Sequence, residues 1–229
     1  RFDHKKKYKY SRLLCLISQT RHVPNGLNVV VGAQIPMLES MQSVAVYCGS
    51  ATGNSPAYTQ AAQELGTELA RRGLNLVYGG GNIGLMREVA EACLAAGGTV
   101  TGVMPQSLVD LEISHPGLTT LEVVGSMAER KTRMEQLADA YICLPGGVGT
   151  LEELTEVLTL QQLGHLRGPV GLVNTEDFWR PFHAMYAAMA ESGFILPRFV
   201  DALVMEEKPQ DILDEFSSWS YPGTKWDND

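Results

Sequence analysis

The chain has 229 residues, enough for one large domain, and its 45% apolar content supplies a full core and excludes a disordered chain. Its net charge is −8, and the first forty residues hold seven lysines and arginines against Asp3 and Glu39 (+5), so the rest stands at −13. Bulk charge therefore excludes nucleic-acid binding, and a bound anion must rest on backbone N–H groups and a few placed cations.

Residues 1–40 mix a Lys/Tyr run, a short apolar stretch and a Pro/Gly/Asn segment without sustained periodicity, and read as an extension or added leader, with Met41 as a natural start. From Ser43 strands and helices alternate. Ser43 to Cys48 reads as a strand, and Ser55-Pro56 supplies an N-cap and first-turn proline for a helix ending at Gly73. Next come a strand at Asn75 to Tyr78, a helix at Leu85 to Ala96 closed by Gly97-Gly98, and a strand at Thr99 to Met104. A strand at Leu121 to Val124, a helix at Met127 to Leu137 and a strand at Tyr141 to Leu144 follow. Then come a helix at Leu151 to Leu163, a strand at Pro169 to Val173 and a helix at Phe178 to Ser192. A strand near Ala202 to Met205 and a helix after Pro209 complete the series.

Short apolar strands alternating with helices predict one α/β domain over 41–217, a doubly wound, Rossmann-like parallel sheet covered on both faces. Residues 218–229 read as a loose tail. No apolar run approaches the roughly 20 residues of a membrane span. Cys15, Cys48, Cys93 and Cys143 lack C-x-x-C or metal-ligand spacing and read as thiols of a reducing, cytoplasmic compartment, with no metal expected.

Two glycine-rich turns carry the chemistry. Gly79-Gly80-Gly81-Asn82-Ile83-Gly84 has G-x-G-x-x-G spacing between a strand and a helix. The next strand ends at Met104-Pro105-Gln106-Ser107 without the acid that would hold a dinucleotide's ribose, which argues against NAD. Pro145-Gly146-Gly147-Val148-Gly149-Thr150 is a second such turn, without the G-K-[ST] ending of a P-loop. Glycines there let backbone N–H groups converge on an anion at a helix N-terminus. The competing reading is a turn that needs small residues for packing.

Thr150-x-x-Glu153 has the spacing of a capping box, so Glu153 can be a cap. Alternatively, with Leu151, Leu154 and Leu158 as the apolar stripe, Glu152 and Glu156 point outward and Glu153 borders the glycine turn. Arg130 falls on the inward stripe of Met127, Met134 and Leu137, where a guanidinium needs a carboxylate or phosphate. Lys131 and Arg133 add cations nearby.

Y-G-G-G-N-I-G-L-M, M-A-E-R-K and P-G-G-V-G-T-L-E-E together resemble the LONELY GUY family of cytokinin riboside 5′-monophosphate phosphoribohydrolases, long mislabelled as lysine decarboxylases. The similarity spans about Met41 to Ser217. It implies a homodimer or larger oligomer that needs no metal or cofactor and releases a purine base and ribose 5-phosphate from a nucleoside 5′-monophosphate. Arg130 and Glu153 would be the catalytic pair. Gly49 and Ser50 of the Cys48-Gly49-Ser50 turn, Gly80, Gly81, Met127, Lys131 and the turn Gly146, Gly147, Val148, Gly149 and Thr150 would contact the nucleotide. Ala128 and Arg87 depart from the His and Gly of many relatives. A carboxylate beside the ribose can stabilise an oxocarbenium-like transition state, and Arg130 with the helix N-terminus is expected to keep Glu153 ionised. The competing class is a nucleotide or phosphorylated-cofactor carrier, which would need the turns but not the pair.

Overall fold

The computed structural model describes residues 20–22, 28–30, 41–111 and 114–227, in two compact units divided between Pro36 and Met37. In the first unit β1 (Thr20–His22) pairs antiparallel with β2 (Asn28–Val30); the remaining expectations for residues 1–40, Cys15 among them, lie outside the described residues.

The second unit is the expected parallel sheet. Its strands are β3 (Ser43–Tyr47), β4 (Asn75–Tyr78), β5 (Val100–Pro105), β6 (Thr120–Val124), β7 (Ala140–Cys143), β8 (Val170–Val173) and β9 (Val204–Glu206). They lie in the order β6-β5-β4-β3-β7-β8-β9 with every pairing parallel. The connecting helices are α1 (Pro56–Arg71), α2 (Gly84–Ala95), α3 (Gln106–Val109), α4 (Met127–Leu137), α5 (Val148–Leu163), α6 (Arg180–Glu191), α7 (Pro197–Asp201) and α8 (Pro209–Glu215).

The two-residue period of the strands divides the core. Val44, Val46 and Cys48 pack with Leu65 of α1, Val89 of α2 and Ile212 of α8. Ala45 and Tyr47 face the opposite layer, with Met134 of α4, Leu154 and Leu158 of α5 and Phe182 of α6. Tyr47, Tyr78, Phe199 and Phe216 are fully buried, and burying a large apolar side chain contributes roughly 1.5–3 kcal/mol. Local signals agree with this packing: Ser55 Oγ accepts from Ala57 N at the start of α1, with Pro56 in the first turn. Asp139 Oδ2 accepts from Gln42 N (2.8 Å) and Ser43 N (3.0 Å), which ties the start of β3 to the start of β7.

Strand order places the site. The chain builds outward from β3 to β6, then returns to the other side of β3 to add β7, β8 and β9. The helix after β3 and the helix after β7 cover opposite faces, so a crevice opens where the C-terminal ends of these neighbours part.

The structure departs from the sequence reading at several places. Helix α5 begins at Val148 rather than Leu151, because Gly147 is its N-cap and Val148, Gly149 and Thr150 already form its first turn; the low helix propensity of glycine hides this start in the sequence. A single 3-10 turn, Thr175–Asp177, precedes α6, and α3 and α7 are too short to show a period. Residues 218–227 do not hang loose: Trp219 Nε1 donates to Ala202 O (2.7 Å), Tyr221 OH to Gln161 O (3.0 Å) and Lys225 N to Gln162 O (2.9 Å). Isolated polar anchors of this kind have no periodicity to betray them.

Candidate active site

The turns that follow β3, β4 and β7 meet at the crevice. Gly49 N donates to Pro145 O (3.1 Å), and Leu85 N, at the start of α2, donates to Gly49 O (3.0 Å). A Cβ on Gly146 would stand 2.9 Å from Gly49 N and 2.2 Å from Thr150 Oγ1, so only glycine lets these turns touch. Gly84 has φ +55°, and a Cβ there would stand 2.3 Å from the carbonyl carbon of Ser50.

Beside these turns α5 opens with Gly147 as its N-cap and no side-chain cap. Gly147, Val148 and Gly149 are exposed, Val148 at 85%, while Thr150 is buried. The first-turn N–H groups of Val148, Gly149 and Thr150 precede the intrahelical ladder and face outward with the positive end of the helix dipole, an arrangement suited to a phosphate.

Thr150 is the third residue of α5, not its cap, which removes the capping-box role from Glu153. A cap of that kind occurs on α4 instead: Ser126 Oγ accepts from Glu129 N (3.1 Å), and Glu129 Oε2 accepts from Gly125 N (2.8 Å). It fixes the helix that carries Arg130. Arg130 is buried, its Nε donating to Val103 O (3.1 Å) and its Nη1 to Glu153 Oε1 (3.3 Å). The two side chains are each 11% exposed, an ion pair largely withdrawn from water.

That withdrawal reverses one electrostatic expectation. Burial pushes the Glu153 carboxyl up to about 7; Arg130 pulls it down, but Glu152 pushes it up again. Desolvation of the carboxylate outweighs its cation, so Glu153 titrates near neutrality. Burial, then Glu153, also hold the Cys48 thiol well above its ordinary range.

The remaining predicted residues are placed less centrally. Lys131 is held by Glu152 and by Glu156 Oε2 (2.8 Å), and Arg133 by Glu122 (2.5 Å). Met127, read as inward, is 50% exposed, and Leu151 is 36% exposed, because each lies in its helix's first turn, ahead of the part buried on the sheet. Gly80 and Gly81 are buried: Gly80 O accepts from His115 N (2.9 Å) and Gly81 O from Tyr78 OH (3.3 Å). Gly80 has φ +76°, and a Cβ there would make only ordinary contact with Met104 and Leu121, so the backbone conformation of the turn is what calls for glycine. Ser50 is exposed at the crevice, Ala128 is exposed on α4, and Arg87 pairs with Glu88 (2.9 Å) on the outside of α2. Sequence reasoning missed the Val103 carbonyl that fixes Arg130, a backbone atom that no motif names.

Among the described residues no group of three or more His, Cys, Asp and Glu side chains is placed to hold a metal ion, and no helix is long and apolar enough to cross a membrane.

The family described as "Possible lysine decarboxylase" matches residues 86–216. The cytokinin riboside 5′-monophosphate phosphoribohydrolase LOG of Oryza sativa subsp. japonica is 42% identical over 188 residues, 81% of this chain and 78% of that protein. The chain belongs to the LOG family. A LOG-family protein of Rhodococcoides fascians, a cytokinin riboside 5′-monophosphate phosphoribohydrolase, is 46% identical over 68% of this chain and 79% of its own length. Among solved structures, the molybdenum cofactor binding protein of Rippkaea orientalis superposes with a TM-score of 0.62 at 21% identity, over 77% of this chain and 96% of that one. The molybdenum cofactor carrier protein of Chlamydomonas reinhardtii gives 0.60 at 20%, over 77% and 96%. At such identity the likeness is one of fold, and it extends the LOG-family scaffold to proteins named for carrying a cofactor.

Proposed function

We propose that this chain hydrolyses the N-glycosidic bond of purine nucleoside 5′-monophosphates, AMP or N6-modified cytokinin-type adenine nucleotides, releasing the free base and ribose 5-phosphate. The observation that carries the reading is the buried Arg130–Glu153 pair beside the open N-terminus of α5, at the point where β3 and β7 part. The names of the relatives at 40–46% identity point to the same substrate class.

In this reading the phosphate rests on the first-turn N–H groups of α5 and the Gly146–Thr150 turn, with Gly49 and Ser50 alongside, and so fixes the ribose over Glu153. The C1′–N9 bond breaks with its electron pair leaving on the base, and the positive charge that develops on the ribose is stabilised by the Glu153 carboxylate. One water closes the balance: its oxygen bonds to C1′, it yields a proton to Glu153, and Glu153 gives that proton up again to balance the one the departing base takes up, so the carboxylate is regenerated. A carboxyl titrating near 7 suits both holding and returning a proton at neutral pH. Arg130 fixes the carboxylate's orientation and keeps its pKa from climbing further. Lys131 acts through Glu152 and Glu156, holding the neighbouring turns of α4 and α5 together.

Pyridoxal-dependent decarboxylation would call for a lysine free to form a Schiff base at the site, whereas Lys131, beside Arg130, is held by two glutamates. A carrier would need the phosphate-binding turns and not a buried carboxylate set against the ligand. We further propose a homodimer, in which a second copy covers the exposed Met127, Val148 and Leu151, and a reducing compartment such as the cytoplasm, where Cys48, Cys93 and Cys143 remain free thiols. Incubation with AMP and with isopentenyladenosine 5′-monophosphate, followed for free base, tests the reading. Release of base supports it, and recovery of both nucleotides intact from a complex with the protein would make it a carrier.

A further inference from the structure

Gly79 opens the Gly79-Gly80-Gly81 turn, yet it lacks the features that require glycine at its neighbours. Its φ is not positive, unlike those of Gly80 (+76°) and Gly84 (+55°). No backbone atom is among the three nearest to a Cβ built on it, whereas a Cβ on Gly84 would strike the Ser50 backbone. The three atoms nearest such a Cβ on Gly79 all belong to the guanidinium of Arg130: Nη2 at 1.7 Å, Cζ at 2.8 Å and Nε at 3.3 Å. The missing side chain is thus the space in which the guanidinium lies.

We propose that Gly79 and the carbonyl of Val103 form a seat that aims the Arg130 guanidinium at Glu153, so that Gly79 is a positioning residue for the reaction rather than a phosphate-binding glycine. The seat has two walls. The guanidinium is planar with its donors in a fixed fork, so the bond from Nε to Val103 O (3.1 Å) sets its tilt. The bare Cα of Gly79 lets Nη2 lie against the end of β4, and with two corners placed, Nη1 falls 3.3 Å from Glu153 Oε1. Strands β4 and β5, adjacent in the sheet, thereby hold a side chain that comes from α4 and serves α5. The sheet itself sets the register of the ion pair.

The atom that an added methyl would strike is the far end of a long side chain, so Gly79→Ala displaces Arg130 rather than unfolding the domain. Three results follow. The melting temperature of Gly79→Ala stays close to that of the parent. Its kcat falls on the order of a hundredfold, with a smaller change in KM, because phosphate contacts on α5 are untouched. The pKa of Glu153, which Arg130 holds down, rises above its parent value of about 7, and the acidic limb of the pH–rate profile moves up with it.

The proposal rests on the hydrolase reading above, and the test separates the two. Gly79→Ala is combined with Arg130→Ala in a double-mutant cycle on base release, while the Glu153 carboxyl is titrated by 13C NMR in the free protein. If Gly79 acts through Arg130, Gly79→Ala costs nothing further in the Arg130→Ala background and the Glu153 titration shifts upward. An equal loss in both backgrounds, parent-like activity in Gly79→Ala, or an unmoved Glu153 titration would overturn it. A parent protein that releases no base from any nucleotide would remove the hydrolase reading, and the carboxyl titration would still decide the seat.

Discussion

Replacing Glu153 with glutamine keeps the shape of the side chain and removes a carboxyl that is costly to ionise. Because burial raises Glu153 from its ordinary value of 4.5 to about 7, the folded protein binds more protons than the unfolded chain between those values. Stability then falls as pH rises through that window, and the loss is complete above 7. At pH 5 the unfolded chain has already released most of this proton while the folded protein keeps it, so the loss of stability has only begun. Over the whole window the ionised Glu153 should cost about 3.5 kcal/mol relative to a neutral group of the same shape, from roughly 1.4 kcal/mol per pKa unit, and about 2 to 3 kcal/mol of that falls between pH 5 and pH 8. Glu135, also pushed up to about 7 by burial, then by Glu156, titrates in both proteins and cancels from the difference. Urea unfolding of the parent and Glu153→Gln at pH 5 and pH 8 measures the effect. The variant should gain about 2 to 3 kcal/mol on the parent between the two pH values while losing base release by roughly a thousandfold or more. A stability difference independent of pH would show that Glu153 is not held against its ionisation, and near-parental kcat would show that it is not catalytic.

Arg130→Lys should be nearly as damaging to kcat as Arg130→Ala, since an ammonium cannot bond Val103 O and Glu153 Oε1 in one plane; full activity in the lysine variant would reduce Arg130 to a point charge. With ionised Glu153 as the working form, kcat/KM measured from pH 5 to 8 should rise with pH and level off above about 7, and a profile flat through 7 would contradict that role. A chain beginning at Met41 should keep base release and melting temperature close to those of the full chain, because β3 starts two residues later; loss of soluble protein would show that residues 1–40 belong to the domain.

Much of the architecture was legible because two periods are strong in this sequence. The buried runs of β3, β4, β7 and β8 and the signals Ser55-Pro56 and Gly97-Gly98 place their elements to within a few residues. The burial of Arg130 was legible too, from its position on α4. What was not legible depends on long-range placement. Thr150-x-x-Glu153 has the spacing of a cap, and only the position of Gly147 shows that the helix starts earlier and leaves Glu153 to Arg130. Arg130 suggests an ionised Glu153 when sequence alone is considered, yet the burial that raises its pKa arises from the packing of α4 and α5 on the sheet. Lys131 looks like a phosphate ligand in R-K, but its partners Glu152 and Glu156 lie one and two turns along another helix. The glycines of the first turn look alike in sequence, and only their neighbours separate Gly79, beside a guanidinium, from Gly80, beside Met104.

The most direct test of the account compares each nucleoside 5′-monophosphate with its own nucleoside: AMP with adenosine, and isopentenyladenosine 5′-monophosphate with isopentenyladenosine, by base release. The uncapped first turn of α5 offers N–H groups to an anion that a nucleoside lacks. Charge-assisted hydrogen bonds contribute roughly 1.5 to 3 kcal/mol each, so losing two lowers kcat/KM on the order of a hundredfold or more. Part of that loss should fall on kcat, because the phosphate holds the ribose over Glu153. The account predicts this ratio for both pairs, and equal rates on nucleotide and nucleoside would contradict it.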